Sequence, residues 1–202
     1  MHNCIFSGHC TENGICSVSC PILAQTSYLL ERNNLSMNNP VYKLPQKDLN
    51  MYADLLASCS GKIATVTVQN GVMTNLAADA ITYCAVCENW KGSQLRCTVY
   101  NLKFAQYLDA LTKSWSFNSD DTEVEYMKIW TNSAKVLIVS NIDFVNFKDF
   151  QCQTLLSLLQ SRINTDNTTI VVSPPISSLV GEGQFFGRLT DMLKRQKVGE
   201  AK

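Results

Sequence analysis

The sequence carries no excess of either charge, because 17 lysine and arginine residues balance 17 aspartate and glutamate residues. A dedicated nucleic-acid coat or a membrane-surface protein needs a strongly basic face, so neutrality removes the simplest electrostatic argument for either. No apolar run approaches the roughly 18 to 20 residues of a membrane span, and the amino terminus lacks the basic-then-apolar order of a secretory signal. We therefore expect a cytoplasmic protein with no membrane partner.

Glycine and proline are also sparse, at 9 and 5 residues, while hydrophobic residues make up 46% of the chain. This composition excludes collagenous, low-complexity and disordered chains. A length of 202 residues suffices for one main hydrophobic core and a small additional module, but not for two full-sized domains.

Cysteine is abundant, and four of the nine cysteines fall in the first twenty residues. They form the pattern C-x5-C-x5-C-x3-C, at Cys4, Cys10, Cys16 and Cys20. In a reducing compartment such a cluster favours a metal over disulfides, because thiolates from a short segment can surround Zn²⁺ tetrahedrally. The Cys-Pro step at residues 20–21 leaves an iron–sulfur cluster as an alternative, and disulfides or free thiols are another. We predict a metal-binding module with zinc as its ion.

The segment after this module divides the chain. ILAQTSYLLERNNL predicts a short helix, and the following residues, 36–47, hold two prolines and show no hydrophobic period. We therefore assign residues 1–39 to the cysteine-rich module and residues 40–202 to the main domain.

In the main domain, predicted strands alternate with predicted helices. Strands are predicted at 63–68, 95–100, 134–140 and 168–173, and helices at 48–59, 74–87, 102–111, 147–163 and 185–196. Residues 114–126 are predicted to be a polar insert, and the residues after the last helix a polar tail. The alternation predicts an α/β fold, with a parallel sheet covered by helices on both faces.

The loop after the first strand has the layout of a phosphate-binding loop, with a glycine and then a helix. Its residues are Asn70, Gly71, Val72, Met73 and Thr74. The lysine that such a loop places before its threonine is replaced by Met73, and Val72 takes the place of the preceding glycine.

The acidic pair expected at the end of a central strand is also missing, because VLIVS is followed by Asn141 and ends in Ser140. Asp143 lies two residues further on. Phosphoryl transfer needs both the lysine and the metal-binding acids for charge compensation, so we predict a degenerate site that does not hydrolyse ATP. The motifs give little support for binding of ATP or ADP. One alternative stays open, an active ATPase in which Lys62 or Asp143 substitutes from an unusual position.

Residues 48–195 resemble the AAA+ helicase-loader ATPases, the DnaC-like and IstB-like replication proteins, which share the P-loop NTPase fold. By this resemblance, Met73 and Thr74 match the Lys-Thr of the family's Walker A loop, which leads into a helix similar to TNLAADAI. In VLIVSNID, Ser140 and Asn141 match the two Walker B acids. The cysteine-rich start resembles the small metal-binding region of some phage and Gram-positive members.

The resemblance extends to two further residues. Ser173, at the end of TTIVVS, matches the polar residue of the family's sensor strand, although Pro174 departs from the usual asparagine. Arg188, in GEGQFFGRLTDML, matches the arginine that reaches the nucleotide of a neighbouring subunit. The expected assembly is therefore a homo-oligomer or a hetero-oligomer.

The resemblance implies a role in DNA replication, through contacts with a replicative helicase or with an active loader paralogue. Two alternatives stay open, a divergent but active ATP-dependent loader and a phage-encoded inhibitor or interaction module directed at the replication machinery. Contact with single-stranded DNA has weaker support, from aromatic residues beside cations at Trp90, Lys91, Arg96, Tyr100, Lys103 and Tyr107.

Overall fold

A computed structural model of the chain describes residues 21–35, 38–69, 72–88, 98–116, 121–163 and 165–201. The predicted metal ligands Cys4, Cys10, Cys16 and Cys20 lie outside the described residues, as do Asn70 and Gly71 of the predicted phosphate-binding loop. The predictions made for these six residues therefore stay predictions.

Within the described residues, five parallel strands form one sheet in the order β2-β3-β4-β1-β5. Two of the predicted strands, 63–68 and 168–173, have the predicted bounds. The strands are β1 Ile63–Val68, β2 Val99–Lys103, β3 Val136–Ser140, β4 Thr168–Ser173 and β5 Lys197–Ala201. The predicted α/β class and parallel sheet are thus confirmed.

Helices cover both faces of this sheet. They are α1 Pro21–Arg32, α2 Gln46–Ser58, α3 Val72–Glu88, α4 Phe104–Ser114, α5 Thr122–Ser133, α6 Asp149–Ser161 and α7 Gln184–Arg195. Side chains alternate across a strand, so one strand contributes to two cores. Ile170 and Val172 of β4 join the core with α2 and α3, whereas Val171 joins the core with α4, α6 and α7. None of the described helices is long and apolar enough to cross a membrane.

The strand β2 and the helix after it differ from the sequence prediction. The helix predicted at 102–111 begins at Phe104, because Leu102 and Lys103 still pair in register with Val139 and Ser140 of β3. The strand itself ends at Lys103 rather than at residue 100. At the edge of a sheet, a strand needs few apolar residues, so its pattern is easily confused with the start of a helix.

The predicted polar insert and polar tail were also wrong, because each contains a regular element. The insert includes the whole first turn of α5. Only Val124 and Thr131 of this helix are buried, so no wide apolar stripe marks it. The tail forms β5, which pairs with β1 at the second edge of the sheet. Both elements are defined by their neighbours more than by their own hydrophobic pattern.

A buried arginine joins elements at the amino end of the sheet. Arg162 is 4% exposed, and its guanidinium donates to the backbone carbonyls of Thr131 and Ala134, between α5 and β3, at 3.0 and 2.8 Å. It also donates to the Thr168 carbonyl and the Thr169 hydroxyl of β4. Burial lowers the pKa of the guanidinium. These bonds satisfy carbonyls at the end of α5, which have no partner within the helix.

We expect the substitution Arg162→Ala to lower the free energy of unfolding by roughly 2 to 4 kcal/mol, because it leaves several buried carbonyls without donors. Urea unfolding of the full chain at neutral pH measures this. The matched control is Arg195→Ala at the exposed end of α7, for which we expect a change within about 0.5 kcal/mol. Equal stabilities of the two variants would contradict the role of Arg162.

Candidate functional site

The carboxyl ends of the parallel strands meet at one edge of the sheet. There β1 and β4 are neighbours, with Thr67 paired to Ser173. The chain leaves β1 toward α3, which packs on one face, and leaves β4 toward α7, which packs on the other. A change of crossover direction between adjacent strands opens a crevice, and open α/β sheets bind ligands in such crevices.

The first turn of α3 forms one wall of this crevice. Helix α3 begins at Val72, and its first turn carries no acidic residue. The dipole of a helix favours an anion at its amino end. Thr74 is fully buried in this turn. Met73, at the position of the expected lysine, is 36% exposed and contributes no positive charge.

Asp143 reaches this turn from β3. It lies in the short 3-10 helix Ile142–Phe144, and its Oδ2 accepts a hydrogen bond of 3.5 Å from the Thr74 hydroxyl. Burial raises the pKa of the Asp143 carboxyl, while hydrogen bonds from its own backbone amide and from the Thr74 hydroxyl oppose that shift. Its second oxygen, Oδ1, is buried and has no hydrogen-bond partner among the described residues. In the sequence Asp143 lies two residues beyond the expected acidic position, whereas in the structure its carboxylate reaches Thr74.

The two residues that replace the acidic pair have different environments. Ser140 is buried, and its hydroxyl donates to Oδ1 of Asn101 at 2.7 Å, away from Thr74. Asn141 has a φ of 59°, a left-handed conformation that asparagine tolerates better than most residues. Its Oδ1 is buried without a partner among the described residues. The left-handed residue redirects the chain from β3 into the short helix that carries Asp143.

The structure also gives the positions of three other residues named from the sequence, Ser173, Arg188 and Lys62. Ser173 lies at the same edge, but its hydroxyl donates to the carbonyl of Pro174 at 2.7 Å. Arg188 is exposed on α7, with its guanidinium 5.7 Å from the centre of the Phe185 ring. Lys62 precedes β1, and its carbonyl accepts from the amide of Thr169 at the amino end of the sheet. Lys62 is therefore at the wrong edge to replace the missing lysine.

The aromatic residues predicted to contact single-stranded DNA have partners within the domain. The Tyr100 ring lies 6.5 Å from that of Trp130, and the Tyr107 ring lies 6.5 Å from that of Phe104. Trp90, Lys91 and Arg96 of this predicted set lie outside the described residues. The described part of the set therefore gives no continuous stacking surface.

Cysteines elsewhere in the domain belong to its structure. Cys84 is buried, and its thiol donates to the Leu49 carbonyl at 3.4 Å. Cys87, three residues on, is half-buried, and neither thiol forms a disulfide within the described residues. Among the described residues, no group of three histidine, cysteine or acidic side chains could hold a metal ion. The four cysteines near the amino terminus lie outside the described residues.

Similarity to solved structures supplies the class of fold. A crystal structure of DnaI superimposes with a TM-score of 0.54 and 12% identity, over 88% of this chain and 96% of that one. A crystal structure of the DnaC helicase loader gives a TM-score of 0.48 and 14% identity, over 87% and 99% of the two chains. No protein-family model and no curated protein matches the sequence. With its five-stranded parallel sheet, the chain shares the α/β fold of that DnaI structure.

Asp143 gives a prediction for the dependence of stability on pH. Because burial raises its pKa, the folded state binds more protons than the unfolded state, and the free energy of unfolding falls as pH rises through the unfolded and folded pKa values. Substitution Asp143→Asn removes this loss. We expect the variant to gain stability over the wild type as pH rises from about 4 to 7.

Urea unfolding across this pH range measures the difference between variant and wild type. The control Asp109→Asn, on the exposed face of α4, corrects for the loss of one negative charge. A pH profile of Asp143→Asn parallel to that of the control would contradict the prediction.

Proposed function

We propose that this protein is a DNA-replication accessory protein of the helicase-loader type, which acts through protein contacts and does not hydrolyse ATP. Its partner is a replicative helicase, an active loader paralogue, or both. The observation that carries the proposal is the combination of the AAA+ fold with the loss of compensating charge at its carboxyl edge. The similarity to DnaI, at a TM-score of 0.54, supports the fold.

The electrostatics of the edge support a scaffold more than an enzyme. A nucleoside triphosphate carries several negative charges, and its transfer chemistry needs a lysine and metal-binding acids. At the corresponding positions, Met73 is uncharged and Ser140 is hydrogen-bonded to Asn101. Asp143 is an additional negative charge, which would repel phosphate unless a cation lay between them.

Arg188 supports action within an assembly of subunits. It is exposed on α7, and a shallow depression beside it is also lined by Asp191 and Arg195. An arginine placed in trans can stabilise the charge that develops in the active site of a neighbour. We propose that Arg188 serves an active paralogue in this way, so that the chain contributes to catalysis without a working site of its own.

The cysteine-rich start completes the proposal. Cys4, Cys10, Cys16 and Cys20 are proposed to bind zinc and to form a small module for partner contact. The chemistry of four thiolates fits Zn²⁺, and metal binding would supply the folding energy that so short a segment lacks.

The partner test uses metal-replete full-length protein mixed with the replicative helicase and with the active loader paralogue from the same source. Light scattering coupled to gel filtration is expected to detect a complex with at least one of them, without ATP hydrolysis. Substitution Arg188→Ala should leave that complex intact and lower any stimulation of the paralogue's ATPase by at least about tenfold.

Lys194→Ala is the matched control and should keep full stimulation, because Lys194 is exposed on the same helix and does not line that depression. No complex with either partner would overturn the proposed function. A complex with unchanged stimulation in Arg188→Ala would overturn only the role of that arginine.

The hydrogen bond between Thr74 and Asp143 favours a second candidate, a divergent nucleotide-binding site. A threonine hydroxyl and an aspartate carboxylate are the two protein ligands that P-loop proteins offer to Mg²⁺. Here they lie 3.5 Å apart at the first turn of α3. The described residues thus fit a magnesium–nucleotide complex in part, although they supply no lysine at position 73.

Calorimetry with ATP and ADP, with and without Mg²⁺, separates the two candidates. The main proposal expects no binding at about millimolar nucleotide. Micromolar binding that requires Mg²⁺, accompanied by turnover and weakened about tenfold or more by Asp143→Asn, would favour the divergent enzyme. Asp109→Asn is again the control. Because Asp143→Asn is expected to be the more stable protein at neutral pH, lost binding could not be attributed to unfolding.

A further inference from the structure

The end of α1 covers the free edge of β2. Asn33 is 1% exposed, and its side-chain amide donates to the carbonyl of Val99 at 3.2 Å, while its Oδ1 accepts from the amide of Asn101 at 2.6 Å. These backbone groups belong to an edge strand and face away from β3, so they need a partner when buried. One asparagine therefore forms the pair of bonds that a sixth parallel strand would form.

The bonds continue from the edge strand to the candidate functional site. The Asn101 side chain accepts from the hydroxyl of Ser140 at 2.7 Å and donates to Oδ1 of Asp79, on α3, at 3.4 Å. The other oxygen of Asp79 accepts from the amide of Asn39 at 2.8 Å. These five residues, Asn33, Asn39, Asp79, Asn101 and Ser140, form what we call the asparagine network.

The network makes two independent connections to the segment that precedes the main sheet. Asn33 follows α1, and Asn39 accepts from the amide of Val41 and so caps the 3-10 helix Pro40–Lys43. Burial raises the pKa of Asp79, while the Asn39 amide stabilises its charged form. A buried polar network whose members satisfy one another fixes a single geometry, and loss of one member leaves the others unpaired.

A separate contact holds α1 on the other side of the β2 edge. The Arg32 guanidinium lies 3.3 Å from the centre of the Trp130 ring and 4.8 Å from that of Tyr126, both on α5. Removal of the network would therefore loosen the edge of the sheet without releasing α1 entirely.

We propose that docking of residues 26–35 and 38–44 against the sheet and the conformation of the chain after β3 are coupled through the asparagine network. Asn33 and Asn39 orient Asn101 and Asp79, and Asn101 orients Ser140. The next residue is Asn141, whose left-handed turn leads to the carboxylate opposite Thr74. A partner that draws the amino-terminal segment away from β2 thereby alters the candidate functional site, and a change at that site alters docking by the same factor. This coupling through the asparagine network requires neither a helicase nor a nucleotide.

Amide hydrogen exchange of the full-length protein, read by NMR, tests the coupling in both directions. The Val145 amide, bonded to the Ile142 carbonyl, reports on the chain after β3, and the Leu35 amide, bonded to the Leu30 carbonyl, reports on docking. We expect Asn33→Ala to accelerate exchange at Val145 by about fivefold, the factor that corresponds to one net hydrogen bond. We expect Ser140→Ala to accelerate exchange at Leu35 similarly.

Amides of α6, remote from the network, correct for a general loss of stability. The matched control is Asn50→Ala, because Asn50 is exposed on α2 and bonds only to Gln46 among the contacts described. If Asn33→Ala does not fold, Asn39→Ala replaces it, since that variant keeps the bonds to β2. The proposal would be overturned if exchange at Val145 in Asn33→Ala, and exchange at Leu35 in Ser140→Ala, changed no more than exchange in α6. Each substitution would then affect only its own segment.

Discussion

Because all five strands run parallel, every connection between them must cross a face of the sheet. This constraint produces the two helical layers and therefore the two hydrophobic cores. It also places the last residue of every strand at one edge, so that residues distant in sequence, such as Ser140 and Ser173, become neighbours of the same crevice. Several buried polar residues of this protein therefore lie at the edge where the parallel strands end.

Most polar groups at that edge are engaged within the protein. The Ser140 hydroxyl bonds to Asn101 and the Ser173 hydroxyl to Pro174, so neither donor is directed toward a ligand in this structure. The crevice thus lies where open α/β sheets bind ligands, while most of its polar side chains stabilise the fold. Asn141 and Asp143 are exceptions, because each has one side-chain oxygen that is buried without a hydrogen-bond partner among the described residues.

The elements that could be predicted from the sequence are those whose own residues determine them. Strands 63–68 and 168–173 are β-branched and almost wholly buried, and their bounds agree with the structure. Helix α5 and strand β5 could not be predicted, because α5 buries only Val124 and Thr131, and β5 is defined by its backbone pairing with β1. Edge elements satisfy their backbone groups through distant partners, which no local pattern records.

The candidate site was predicted in the same uneven way. The loop positions follow from strand and helix order, so Thr74, Ser140 and Asn141 were expected at one edge. The contact of Asp143 with Thr74 spans 69 positions and depends on one left-handed residue. A sequence pattern does not give the sign of a φ angle, although an asparagine directly after a buried strand is a signal that could have suggested it.

Two groups of polar residues meet at the end of β3, where a single peptide bond joins Ser140 of the first group to Asn141 of the second. Ser140 belongs to the asparagine network, which extends to the segment after α1, whereas Asn141 begins the turn toward Thr74. Strand β3 is fixed on both sides by β2 and β4, so the backbone at its end has little freedom to absorb a change on one side alone. Coupling between the amino-terminal segment and the crevice therefore needs no long pathway through the core. It needs only that a displaced Asn101 releases the hydroxyl of Ser140, the residue directly before the left-handed Asn141.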